Sequence, residues 1–201
     1  MKKWGVGCGV IVIVVLALGG LAVVGGYNSL VGLDQAVQAQ WGQVENVYQR
    51  RADLVPNLVE TVKGAAAFEK DTFTAVTEAR SRVGQVQGSG QNAPTDPAAF
   101  AKFQQAQDGL SSALSRLMVV VEKYPDLKAT ANFRDLQAQL EGTENRVAVE
   151  RMRFNETAQA FNTRRQSFPT ILIAGFFGDR FREKVYFKAQ AGAETAPKVK
   201  F

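Results

Sequence analysis

Residues 30–65 read LVGLDQAVQAQWGQVENVYQRRADLVPNLVETVKGA, and their apolar members step by three and four: Leu30, Leu33, Val37, Trp41, Val44, Tyr48, then Val55, Leu58, Val62 and Ala65. Arg51 alone interrupts the stripe with a charge. That period is the seam of a long amphipathic helix in a bundle. Pro56 lies in its interior, where it removes one backbone donor and costs about 3 kcal/mol. The apolar phase nevertheless passes through it without a slip, so the spacing predicts either one kinked helix or a break capped by Asp53.

The same period recurs downstream. After a turn at 64–70, Phe73, Val76, Ala79 or Arg80, Val83 and Val86 mark a shorter second helix. GSGQNAPTDP, from Gly88 to Pro97, reads as a loop, and Asp96 followed by Pro97 reads as a helix cap with proline at the first helical position. Phe100, Phe103, Gln107, Leu110, Leu114, Leu117, Val121 and Tyr124 form a third stripe, which Pro125 stops. A fourth, with Asn132 as the expected cap, carries Phe133, Leu136, Leu140, Glu144, Val147, Arg151, Phe154, Ala158, Phe161 and Phe168 before Pro169. No alternation of period two competes between Leu30 and Phe168, and short connections favour antiparallel neighbours. The expected fold is all-α: an N-terminal transmembrane helix followed by an elongated antiparallel four-helix bundle.

Upstream, residues 4–33 carry no charge. A helix over Trp4–Gly26 would rise about 34 Å, enough to cross a hydrocarbon core of about 30 Å. The small residues Val24, Gly25 and Gly26 also suit a cleaved signal peptide, but the apolar run is long for one and helical periodicity starts directly beyond it. The reading adopted is an uncleaved anchor over 1–26, a bundle over 27–168, and an apolar and basic tail over 169–201 packing at the bundle end. Lys2 and Lys3 precede the span and the next basic residue is Arg50, so the charge bias keeps the N terminus in the cytoplasm and puts the bundle outside the inner membrane.

Composition narrows the chemistry. The chain has no histidine and one cysteine, Cys8, which excludes histidine-based nucleophile activation, an internal disulfide and a multi-thiolate zinc site. The net charge of +5 is not spread over the body. From Arg164 onward eight basic residues face three acidic ones, and Lys2 and Lys3 add two more. What remains is nearly neutral, with no extended basic face for nucleic acid.

Several separated motifs are similar to one family: YNSLVGLDQAVQAQW from Tyr27, QRRADLVPNLVETVKG from Gln49, EARS from Glu78, LEGTENRVAVERMRFNETAQAFNTRRQSFP from Leu140, and ILIAGFFG from Ile171. In their order and spacing the chain resembles the LemA family of bacterial membrane proteins, from Tyr27 to Phe201. The resemblance implies a short N-terminal anchor, an elongated helical bundle, and no established enzymatic activity or cofactor. AAAFE after Gly64 stands where similar proteins often carry an aromatic residue and a histidine, and the segment after Gly178 is unusually charged. A histidine-dependent role could not transfer.

Two groups of residues invite a function. Arg50, Asp53, Asn57 and Glu60 share a helical face next to Arg51 and Pro56, and paired carboxylates with an arginine could do acid–base chemistry or, with Glu141 and Glu144, hydrolyse glycans. No nucleophile, metal set or phosphate loop accompanies them, which favours structural hydrogen bonds around Pro56, whose ring frees a carbonyl near Ala52. If Tyr27 and Phe168 share the membrane end, facing residues of helices one and four have numbers summing to about 195. That pairs Arg51 with Glu144 in a half-buried ion pair that sets register more than stability. The second group is the apolar run from Phe168 to Gly178, too short to cross a membrane and too apolar to stay bare. It either caps the bundle or docks, with Phe176, Phe177, Arg180 and Arg182 placed at the membrane surface.

The functional expectation is an envelope interaction or scaffold module without catalysis or cofactor. Its partners would be the membrane and another envelope protein, and an oligomer is compatible. A lipid-sensing or lipid-organising module is the alternative, and a cell-wall hydrolase the third reading.

Overall fold

The computed structural model describes residues 2–63, 70–87 and 90–188. α1 runs from Lys2 to Lys63 as one helix of 62 residues, so the apolar N-terminal segment and the first bundle helix are a single rod. Pro56 does not break it. The carbonyl it deprives of a partner, that of Ala52, accepts instead from Arg80 Nε at 3.1 Å. The arginine therefore comes from α2, which spans Lys70–Gln87. The turn expected at 64–70 lies almost wholly outside the described residues.

The segment read as a loop contains a 3-10 helix over Gly90–Thr95, with Ala93 and Pro94 buried. α3 covers Pro97–Val121, and its cap is the expected one: Asp96 Oδ1 accepts from the amides of Ala98 (2.8 Å) and Ala99 (3.2 Å). Pro125 ends that helix and starts another, α4, over Pro125–Ala129. α5 spans Ala131–Gln166, capped by Thr130 rather than Asn132. Thr130 adopts extended backbone and its hydroxyl accepts from Phe133 N, whereas Asn132 already lies inside the first turn. α6 spans Thr170–Phe176.

The longest packed pairs are α1 with α5 and α2 with α3. Hydrogen bonds between α1 and α5 join Ser29 to Arg164, Gln40 to Glu150, Tyr48 to Arg151 and Arg51 to Glu144. Each pair of numbers totals about 195, as antiparallel helices of equal rise require.

The core has two chemically different halves. The distal half is mostly aliphatic: Val55, Leu58, Val62, Val76, Val83, Leu110, Leu114, Leu117 and Val121, closed by Leu127 and Phe133. The half nearer the apolar N-terminal segment is aromatic, with Trp41, Tyr48, Phe100, Phe103, Phe154, Phe161, Phe181 and Phe187. Short α2 serves mainly the distal half. The position it leaves open is filled by the C-terminal segment.

That segment does not stop at the bundle end, as a tail packed there would. Phe181 meets Tyr27 with ring centroids 5.5 Å apart, and Phe187 meets Trp41, Phe100 and Phe154 at 6.1, 4.7 and 5.5 Å. From Tyr27 to Trp41 α1 rises about 21 Å. Residues 181–187 cover that distance only as a nearly straight strap. The Asn162 amide bonds both the N–H (2.8 Å) and the C=O (2.9 Å) of Lys184, and Asn155 does the same for Phe187 at 2.9 and 3.0 Å. Seven helical residues rise about 10.5 Å and three extended ones span about 10 Å. Two asparagines one heptad apart on α5 therefore match two strap residues three apart.

Candidate functional site

The two core halves meet at a polar layer centred on Arg51, whose side chain is 1% exposed. Its Nη1 donates to Ser111 Oγ (2.7 Å) and Glu144 Oε2 (2.9 Å). Its Nη2 donates to Gln107 Oε1 (2.7 Å) and to the Gln107 carbonyl (3.1 Å). The guanidinium also lies 5.0 Å from the Tyr48 ring centroid. Arg151 approaches that ring from α5, its Nε donating to the Tyr48 hydroxyl and its Nη2 pairing with Asp108 at 3.3 Å. Burial pushes the Tyr48 phenol above its ordinary value of 10.0, with Arg151 and Arg51 opposing. It thus stays neutral and keeps its proton at physiological pH.

Arg51 sits on the buried stripe because α1 places it three residues after Tyr48 and four before Val55. The neighbours expected to join it do not. Asp53, Asn57 and Glu60 are exposed, Asp53 accepting from Gln49 and Glu60 pairing with Lys63. Pro56 is exposed as well. Of the cluster read from the sequence, the fold joins Arg51 and Glu144, and Glu144 remains 52% exposed. Among the described residues, no group of three or more His, Cys, Asp and Glu side chains could hold a metal ion. The layer has hydrogen-bond donors fixed on acceptors, which specifies register.

A second buried charge was not legible from periodicity. Lys184, 2% exposed, points its ammonium at Asp34 Oδ1 (2.5 Å) and lies 4.7 Å from the Phe161 ring. Lys184 belongs to no helix, so no stripe marks it. The signal that existed was the heptad spacing of Asn155 and Asn162 beside the α5 stripe.

The remaining feature is the end where α6 meets α1. From Ile13 to Val24 the apolar side chains of α1 are exposed, for example Leu16 at 69% and Leu21 at 70%, and burial begins at Gly26. The helix that carries this stretch, over Ile13–Lys63, is long and apolar enough to cross a membrane. α6 crosses α1 there: a Cβ placed on Gly26 would stand 2.6 Å from Ile173 Cδ1, so only glycine admits this approach without a shift. Thr170, Ile173 and Ala174 face inward, while Phe168, Leu172 and Phe176 are 80%, 67% and 84% exposed. Phe177 packs on Tyr27 at 5.2 Å, Arg180 lies 5.9 Å from the Tyr27 ring, and Arg182 pairs with Asp179.

Fold and site define a helical-bundle protein with one helix able to span a membrane and a buried arginine layer at mid-bundle. Residues 40–201 match the model of the LemA family, and the chain belongs to that family. Magnetosome protein MamQ 2 of Paramagnetospirillum magneticum is 26% identical over 187 residues, covering 84% of this chain and 67% of that protein. Magnetosome protein MamQ of Magnetospirillum gryphiswaldense is 28% identical over 184 residues with the same coverage. Protein LemA of Metamycoplasma hominis is 22% identical over 151 residues, 75% of this chain and 64% of its own length. The chain thus spans about two thirds of the length of these relatives.

Proposed function

We propose that this chain is a single-pass protein of the cytoplasmic membrane whose N terminus stays inside and whose bundle stands outside as a scaffold or interaction module for another envelope protein, without catalysis of its own. The observation that carries the reading is the switch in burial at Gly26 within one unbroken helix: bare and apolar from Ile13 to Val24, packed after it. A rod of this kind transmits the position of the span directly to the bundle, which suits a module that holds a partner at a set height. The orientation rests on Lys2 and Lys3 against a stretch free of basic residues up to Arg50.

Protease added to spheroplasts tests the topology. Digestion of residues 27–201 is expected, and protection of that body while other outward-facing domains are cut refutes the orientation. Crosslinking in intact cells followed by mass spectrometry tests the scaffold role. A recurrent envelope protein bound to the bundle is expected, and crosslinks confined to lipid would instead favour the lipid-organising reading, which the exposed Phe168, Leu172 and Phe176 support.

A further inference from the structure

We propose that α6 is a lipid foot: in the membrane-anchored protein, Phe168, Ile171, Leu172 and Phe176 are immersed in the outer leaflet of the same bilayer that the N-terminal part of α1 crosses. The inference rests on the anchor reading above and adds a second, separate contact with lipid.

Four large apolar side chains on and just before α6 are uncovered, at 80%, 48%, 67% and 84% exposure. Exposed singly they would need no explanation, but they fall within nine residues and form one patch. Their place says what covers them. α6 is held against α1 at Gly26 by Ile173, at the boundary where α1 changes from bare to packed. Val23 and Val24, 52% and 58% exposed, lie within one helical turn of that crossing. Lipid that covers Val23 and Val24 therefore reaches the level of α6, and the patch continues the lipid-facing surface of the span.

The polar side agrees. Thr170, Ile173 and Ala174 turn inward and fix the element. Just beyond it Arg180 stacks near Tyr27 and Phe181, while Arg164 bonds Ser29 and Arg165 bonds the Phe181 carbonyl. Basic residues above a band of exposed rings match the order of headgroup and acyl boundary at an interface. They also favour an anionic leaflet. The foot limits the tilt of the α1 rod, because leaning away would lift the aromatic rings out of lipid.

The test uses full-length protein in vesicles of phosphatidylcholine and phosphatidylglycerol. In a C8S background, single cysteines L172C and F176C carry an environment-sensitive fluorophore. L18C reports the span, and V119C reports an exposed apolar residue on α3, at 66% exposure. Spin-labelled lipids are expected to quench the labels at positions 18, 172 and 176, with the last two responding to shallow probes, and to leave position 119 unaffected. Quenching at 18 with 172 and 176 fully water-exposed overturns the foot and leaves the anchor standing. No quenching at 18 overturns the anchor and the foot with it. Protection at 172 and 176 that grows with protein density and is insensitive to spin-labelled lipid shows that a second copy covers the patch, which also overturns the lipid assignment.

Discussion

Replacing Arg51 with methionine separates two accounts of the polar layer. The sequence spacing alone makes Arg51 and Glu144 a closed pair, so that removing both would be close to neutral. The structure gives Arg51 a more deeply buried partner. Gln107 is 1% exposed and supplies two acceptors to Nη2, whereas the Glu144 side chain is 52% exposed. Arg51→Met strands the Gln107 side-chain oxygen in an apolar surround, at about 1–3 kcal/mol, and forfeits charge-assisted bonds of similar size. The expected loss is about 3–4 kcal/mol. Glu144→Gln costs less, about 1 kcal/mol, because water reaches that carboxylate and the guanidinium keeps Ser111 and Gln107.

The decisive comparison is between two double variants. Arg51→Met with Glu144→Leu still leaves Gln107 unsatisfied, so it should be about as unstable as Arg51→Met alone. Arg51→Met with Gln107→Leu removes the donor and the buried side-chain acceptor together, leaving the Gln107 carbonyl to its place inside α3, and should recover to within about 1 kcal/mol of the parent. Urea unfolding of the full chain in mild detergent, followed by circular dichroism, gives both cycles. A coupling of about 4 kcal/mol between Arg51 and Gln107 is expected, because Gln107→Leu alone also costs about 1 kcal/mol or more, against about 1 kcal/mol between Arg51 and Glu144. The reverse order would refute the reasoning, since it would mean that the half-exposed carboxylate and not the buried amide holds the arginine.

Three further outcomes follow from particular contacts. Burial raises the Glu45 carboxyl above 4.5, so its folded pKa exceeds the unfolded one. Its stability contribution is present below pH 4.5 and is lost as pH rises through the raised value; Glu45→Gln should therefore raise the urea midpoint at pH 7 and leave it nearly unchanged at pH 4. Asn155→Ala with Asn162→Ala frees four strap backbone groups, and hydrogen exchange at Lys184 and Phe187 should accelerate about 10- to 100-fold, as losses of about 1–3 kcal/mol imply; unchanged protection would show that the rings alone hold the strap. Pro56→Ala supplies an N–H to the Ala52 carbonyl and should stabilise the chain by about 1 kcal/mol. In that background Arg80→Ala should cost less than in the parent, and strict additivity would show that Arg80 does not substitute for the missing donor.

What the sequence made legible was what repeats. The three-and-four spacing from Leu30 to Val62 located the buried face of α1, and the same arithmetic paired Arg51 with Glu144 through an antiparallel register. Asp96 and Pro97 marked the start of α3 because a cap is a local event, complete within four residues. Sequence alone does not separate Thr130 from Asn132, because both are capping residues and only the backbone tells which of them stands outside the first turn. Gln107 was visible on the third stripe, but its role was not, since a helical period tells that a side chain is buried and not which neighbour it faces.

The strap escaped for a deeper reason. A helix announces itself through its own hydrogen bonds and period, whereas residues 181–188 owe their conformation to groups far away in sequence: Pro94 for Val185, Gln104 for Lys188, Asn155 and Asn162 for Phe187 and Lys184. Such a segment has no internal pattern to read, and its Phe181, Lys184 and Phe187 look like a mixed tail until the bundle shows a place for each. That place exists because α2, at 18 residues, is shorter than the 25-residue α3 it packs against and half as long as the 36-residue α5. A four-helix bundle whose second helix is too short must either expose its aromatic half or cover it with something else, and a straight strap covers about 20 Å of helix with six residues where a helix would need about fourteen. The short second helix and the apolar, basic C terminus are thus two parts of one packing solution, and the strap that closes the core begins where α6 ends, beside the point at which α1 becomes bare.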